Sequence, residues 1–163
     1  MLLETDKLLT LSIKINETRT RALIYSGASY NFVSNRLLME NDELRSKVQG
    51  LSKTVRVVNG ETMDITGRLK LSIRYGKYLE IEEEVSCYVV DIANYGMILG
   101  RTWLFHHNPK IDWREGIVEF MKDGQYVVLK TNLEIPSMKN AELNVIGRKQ
   151  IAEEGQLFDI RMN

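Results

Sequence analysis

Hydrophobic positions recur at every second residue along much of this chain. Leu9, Leu11, Ile13 and Ile15 alternate with polar neighbours, which predicts a half-buried strand over 8–15. Asn16-Glu17-Thr18 is a turn, and Thr20 to Ile24 forms the returning strand of a hairpin. Small and polar residues come next at Tyr25-Ser26-Gly27-Ala28-Ser29 and predict a tight loop. Asn31 to Met39 suits a short strand and then a helical turn, and Glu40 to Lys47 reads as a solvated helix or loop.

The alternation resumes at Val55-Arg56-Val57-Val58. Asn59-Gly60 comes next, a dipeptide that favours the two-residue hairpin turn because both positions accept positive φ. Leu69, Leu71 and Ile73 repeat the period, and an apolar run ends at Val90. Arg101 to His106 predicts one short helix, stopped by Asn108-Pro109. Two more hairpins turn at Arg114-Glu115-Gly116 and Asp123-Gly124, the last with its strand over Gln125 to Lys130. Short strands with closely spaced turns predict an all-β barrel over 1–130. Ile135-Pro136 changes the texture, so 131–163 reads as a C-terminal extension.

Composition narrows the function classes. The 163 residues suit one domain, and 44% hydrophobic with 27% charged content is ordinary for a globular chain. Lys plus Arg and Asp plus Glu both number 22, so no general attraction to nucleic acid or anionic membrane is expected. No apolar run approaches the ~20 residues of a membrane span. Glu4 and Asp6 interrupt Met1-Leu2-Leu3, so no secretory leader is expected. The single cysteine, Cys87, sits in a strand-like run as a buried small residue, and its solitude fits a reducing, intracellular compartment. Glu82-Glu83-Glu84 reads as a solvated turn, and Trp103 and Trp113 as packing residues. His106 and His107 are adjacent, so they share no helix face, and with Cys87 distant they read as surface or capping residues. No metal or other cofactor is expected.

Three segments together resemble the retropepsins, the aspartic proteases of retroviruses and Ty3/gypsy-type LTR retrotransposons. Ala22-Leu23-Ile24-Tyr25-Ser26-Gly27-Ala28 is similar to the family's active-site strand and turn. Val58-Asn59-Gly60, with Gly67 after it, resembles its flap. Gly96-Met97-Ile98-Leu99-Gly100-Arg101-Thr102-Trp103-Leu104 resembles its Ile-Leu-Gly signature and helix. Asn108-Pro109-Lys110-Ile111-Asp112-Trp113 is similar to the segment after that helix in gypsy-type elements. The resemblance implies an acid-protease barrel and a homodimer with one carboxylate from each subunit. It also implies an extended peptide or polyprotein segment in the cleft, and a setting within a retroelement particle. In the family, Leu2 to Leu8 and Gln125 to Lys130 would be candidates for the terminal strands that interleave between subunits. The departure is Tyr25, which stands where the family has its catalytic aspartate. Two carboxyls that share a proton activate water in such enzymes, and a phenol with a pKa of about 10 is a poor substitute. The expectation is therefore a processing-protease domain inactive as written. The other reading is a host-adopted pseudoprotease that dimerises or binds peptide.

Overall fold

The computed structural model describes residues 8–56 and 62–134. Eleven strands and three short helices succeed one another in these residues. β1 (Leu8–Ile15) and β2 (Thr18–Ile24) form the first hairpin, in register from Leu9↔Ile24 to Ile15↔Thr18. Leu9, Leu11, Ile13 and Ile15 are all buried, as their spacing predicts. β3 (Phe32–Ser34) leads into α1 (Asn35–Met39), whose first turn is capped by the Ser34 hydroxyl accepting from Arg36 N. α2 (Asp42–Ser46) is capped in the same way by Asn41. The charged stretch is thus helical and only partly solvated, because Leu44 is buried beneath it.

β4 (Gln49–Arg56) and β5 (Thr62–Tyr75) pair antiparallel on either side of residues 57–61. Val58, Asn59 and Gly60, the expected flap turn, lie outside the described residues; the paired stems reach Arg56↔Thr62. β5 runs unbroken through Gly67. A Cβ there would meet Val48 Cγ1 at 2.4 Å, so glycine serves close strand approach rather than a turn. β6 (Ile81–Val90), β7 (Met97–Leu99) and α3 (Arg101–His107) come after it. Asn108 ends α3 in the left-handed conformation, its N–H donating to Leu104 O.

The principal sheet has the order β11-β1-β2-β7-β3-β6-β5-β4, with β11 spanning Asn132–Glu134. The edge of β1 that takes β11 pairs farther along with β5, through Lys14↔Arg74 and Ile15↔Ile73, which closes six of these strands into a barrel. Leu69, Leu71, Ile73, Val85, Cys87 and Val89 line its interior with the β1 side chains. β8 (Lys110–Asp112), β9 (Ile117–Lys122) and β10 (Gln125–Lys130) form a smaller sheet in the order β10-β9-β8. Phe120 of β9 meets Trp103 of α3 edge-on at 5.6 Å, which seats the helix against this sheet.

Paired chain continues past the boundary expected at residue 130. β11 (Asn132–Glu134) adds to the edge of β1, Thr131 is buried, and Arg21 forms an ion pair with Glu134. Residues 135–163 lie outside the described residues, as do residues 1–7 and with them most of the Leu2 to Leu8 strand. The helix predicted after Gly100 is α3, and α1 and α2 precede it as single turns. Trp113 corrects its expectation: it is 58% exposed in the turn after β8, while Trp103 is buried in the core.

Candidate functional site

The turn that carries Tyr25 begins where β2 leaves the barrel. β2 and β7 lie parallel, with Ala22↔Met97, Leu23↔Ile98 and Ile24↔Leu99 as partners. β7 also pairs antiparallel with β3, through Phe32↔Ile98. β7 is therefore threaded between the two strands that the turn connects. Ile98 and Leu99 are wholly buried there, so the Ile-Leu-Gly signature is the central prop of the turn.

Hydrogen bonds fix the turn from both ends. Tyr25 N donates to Leu99 O at 2.9 Å, and Ala28 N donates back to Tyr25 O at 3.2 Å. Arg101 N reaches Ala28 O at 2.7 Å, and the Thr102 hydroxyl reaches Ser29 O at 3.0 Å. Gly100 sits so close beneath that a Cβ would lie 2.2 Å from Tyr30 O and 2.6 Å from Ala28 O. Glycine is the residue that lets the helix start approach the turn. Ala28 has no exposed surface, which explains a small side chain there.

Asn31 holds the arrangement together, and reading the sequence for chemistry overlooks it. The side chain is buried, its Oδ1 accepts from Gly100 N at 3.0 Å, and its Nδ2 donates to Ser86 O at 3.3 Å. Its own carbonyl accepts from Tyr88 N at 3.0 Å. One amide thus links the turn, the start of α3 and β6. A polar residue directly before the apolar Phe32-Val33 was the available signal.

The structure brings Tyr25, Ser26, Gly27, Ala28, Ile98, Leu99 and Gly100 together. Tyr25 packs at the margin of a second buried cluster that includes Leu23, Phe32, Ile65 and Ile98. Its ring folds back over Gly27: a Cβ on Gly27 would lie 2.8 Å from the Tyr25 Cζ carbon. Ser26 is exposed beside it. No carboxylate occurs between Tyr25 and Asn31. Among the described residues, no group of three or more His, Cys, Asp or Glu is placed to hold a metal ion.

A second polar centre lies on the far side of the helix, and it corrects two expectations. Glu83 is on β6, not in a solvated turn, and His107 is packed inside rather than at the surface. Their side chains are 10% and 4% exposed, and His107 Nε2 lies 2.7 Å from Glu83 Oε2. The Tyr75 hydroxyl donates to Glu83 Oε1 at 2.7 Å, and Trp103 Nε1 donates to the same oxygen at 3.3 Å. Burial pushes the Glu83 carboxyl up, but bonds from His107, Tyr75 and Trp103, with the charge of His107, outweigh it and hold the carboxyl below its ordinary value. Tyr75 is raised well above the usual phenol range, by burial first and then by its bond to Glu83. This centre fastens α3 to β5 and β6 and so steadies Gly100 beneath the turn.

A barrel with a strand threaded beside a Ser-Gly-Ala turn, and a glycine-led helix beneath that turn, is the architecture of a retropepsin-like acid protease. The family described as the PEG10/RTL1 protease domain matches residues 21–126, and the chain belongs to it. It is accordingly a retrotransposon-type aspartic-protease-like domain. Among solved structures, the retroviral protease-like domain of Ddi1 from Leishmania major is 19% identical, with a TM-score of 0.52 over 82% of this chain and 96% of that one. The EIAV protease in complex with an inhibitor is 20% identical, with a TM-score of 0.44 over 65% of this chain and 93% of that one. A search of curated proteins gives no match.

Proposed function

We propose that this domain keeps the peptide-holding architecture of its family and has no peptidase activity as written. The observation that carries this reading is the phenol of Tyr25, set at the turn where the family places its carboxylate and folded over Gly27. Peptide hydrolysis by such a turn needs two carboxyls near a two-fold axis, one ionised to take a proton from water and one protonated to polarise the scissile carbonyl. A phenol is a far weaker acid than a carboxylic acid, so it is no counterpart of the ionised carboxylate in the first role. A symmetric dimer is part of the proposal, since each protomer supplies one such turn.

The position of β4 favours a second reading, the peptide-binding pseudoprotease. Among the described residues β4 is the edge strand of the principal sheet, and none of them pairs with its outer row of backbone donors and acceptors, which suits an added strand. A domain with this edge can hold an extended segment without cutting it.

Tyr25→Asp separates the two readings. If only the acid is missing, the variant cleaves extended apolar peptides, best at mildly acidic pH, and a statine-type inhibitor blocks it. The parent chain cleaves nothing. A variant that folds and dimerises yet cuts no peptide in a broad library supports the binding module. Cleavage by the parent chain alone defeats the inactive reading.

A further inference from the structure

A groove of about 540 Å³ lies on the outside of the barrel. β5 and β6 form its base, with Arg68 opposite Tyr88 and Lys70 opposite Ser86. Alternation turns Leu69 and Cys87 into the core and these four side chains outward. Tyr30 and Thr102 wall one side, and Lys47 and Gln49 the other. The rings of Tyr30 and Tyr88 meet edge-on at 5.6 Å, which gives the groove an aromatic wall.

Its charge is one-sided. Lys47, Arg68 and Lys70 line it, and among the described residues no Asp or Glu does. The whole chain is neutral, so this is a local concentration rather than a general basicity. Gln49 Oε1 accepts from Arg68 Nε at 2.9 Å, which orients the guanidinium. Lys47 meets Glu43 at 3.5 Å across one exposed helical turn, a pairing weak enough to exchange for another carboxylate.

We propose that this groove docks an acidic polypeptide segment. An aromatic or aliphatic side chain of the partner would lie against Tyr30 and Tyr88, with its flanking carboxylates on Arg68, Lys70 and Lys47. The volume suits one or two side chains. Three cations around a single pocket suit this better than a nucleic-acid strand, which calls for a stripe of charge tracking many phosphates. None of residues 25–29 lines the groove, although Asn31 and Thr102, which support the Tyr25 turn from behind, do.

The test uses the full chain, isotope-labelled, and a peptide with Phe-Leu flanked by two glutamates on each side. The peptide should shift the amide resonances of Ser86, Tyr88 and Thr102, and added salt should weaken it. Arg68→Glu with Lys70→Glu should weaken binding by about tenfold or more, while Arg68→Lys with Lys70→Arg should retain it. A peptide with lysines in place of glutamates should leave these resonances unmoved, a comparison that needs no variant to fold. Three results overturn the proposal: no shifts with acidic peptide at about 1 mM, near the weak limit of specific association; equal shifts with the lysine peptide; or tighter binding of a thymidine oligonucleotide to the same amides.

Discussion

Glu83 on β6 and His107 on α3 meet at 2.7 Å with hardly any solvent between them. The same carboxylate also accepts from Tyr75 and Trp103, so three elements converge on one acidic group. Trp103 and His107 are four residues apart on α3 and share the face that packs on Phe120.

Replacing Glu83 by Ala strands three buried donors at once. Loss of one partner from a buried charged network typically costs about 3–5 kcal/mol. Tyr75→Phe removes a single donor and should cost about 1 kcal/mol. Urea denaturation of the two variants should show this ordering, with the helix that supports the Tyr25 turn loosened in the first.

Acid should weaken the same centre. The folded-state pKa of Glu83 lies below its ordinary 4.5, so between the two values the unfolded chain binds more protons than the folded one. The stabilisation is therefore complete above about 4.5 and is lost as pH falls through the depressed value. Melting temperatures measured from pH 6 downward should fall below about 4.5, and Glu83→Gln should flatten that part of the profile.

Glycine substitutions should sort by what surrounds them. At Gly100 a Cβ meets backbone carbonyl oxygen at 2.2 Å, so Gly100→Ala should displace the turn and cost about 3 kcal/mol or more. At Gly27 the obstacle is the far end of the Tyr25 ring, which can swing aside, so Gly27→Ala should cost less. Among the described residues nothing lies within 4 Å of a Cβ at Gly50, and Gly50→Ala should be neutral or stabilising by up to about 1 kcal/mol. Thermal melts of the three variants check the order.

Cys87 faces the barrel interior, and burial pushes its thiol well above the usual range. A thiol-disulfide reagent such as Ellman's should leave the native chain unmodified. It should react fully once denaturant exposes the strand.

Much of this architecture was legible in the sequence because side chains on barrel strands must alternate. Leu9 to Ile15 and Leu69 to Ile73 mark their inward faces without help from any distant residue. The turn at Tyr25 and the signature at Ile98-Leu99-Gly100 were legible by family resemblance. Glu83 was not, since three identical glutamates give no local contrast. The period carried back from Val89, Cys87 and Val85 points inward at Glu83, but its partners lie 8 to 24 residues away and meet it only after folding. Trp113 failed for the opposite reason: its size suggested the core, while its place in a turn left more than half of it exposed.

The pairing of β1 with β11 has a kinetic meaning. Leu8, Leu9 and Thr10 are hydrogen-bonded neighbours of Glu134, Leu133 and Asn132, so the first described strand is finished only by the last. Joining segments so far apart in sequence costs loop entropy before any contact compensates for it, which places such topologies among the slower folders, on the scale of milliseconds to seconds. On the ribosome, β1 emerges well before residue 134, and even after β5 has paired with Lys14 and Ile15 its edge at Leu8 to Thr10 waits bare until β11 has cleared the exit tunnel. During that wait β1 is open to pairing with a strand from a neighbouring nascent chain.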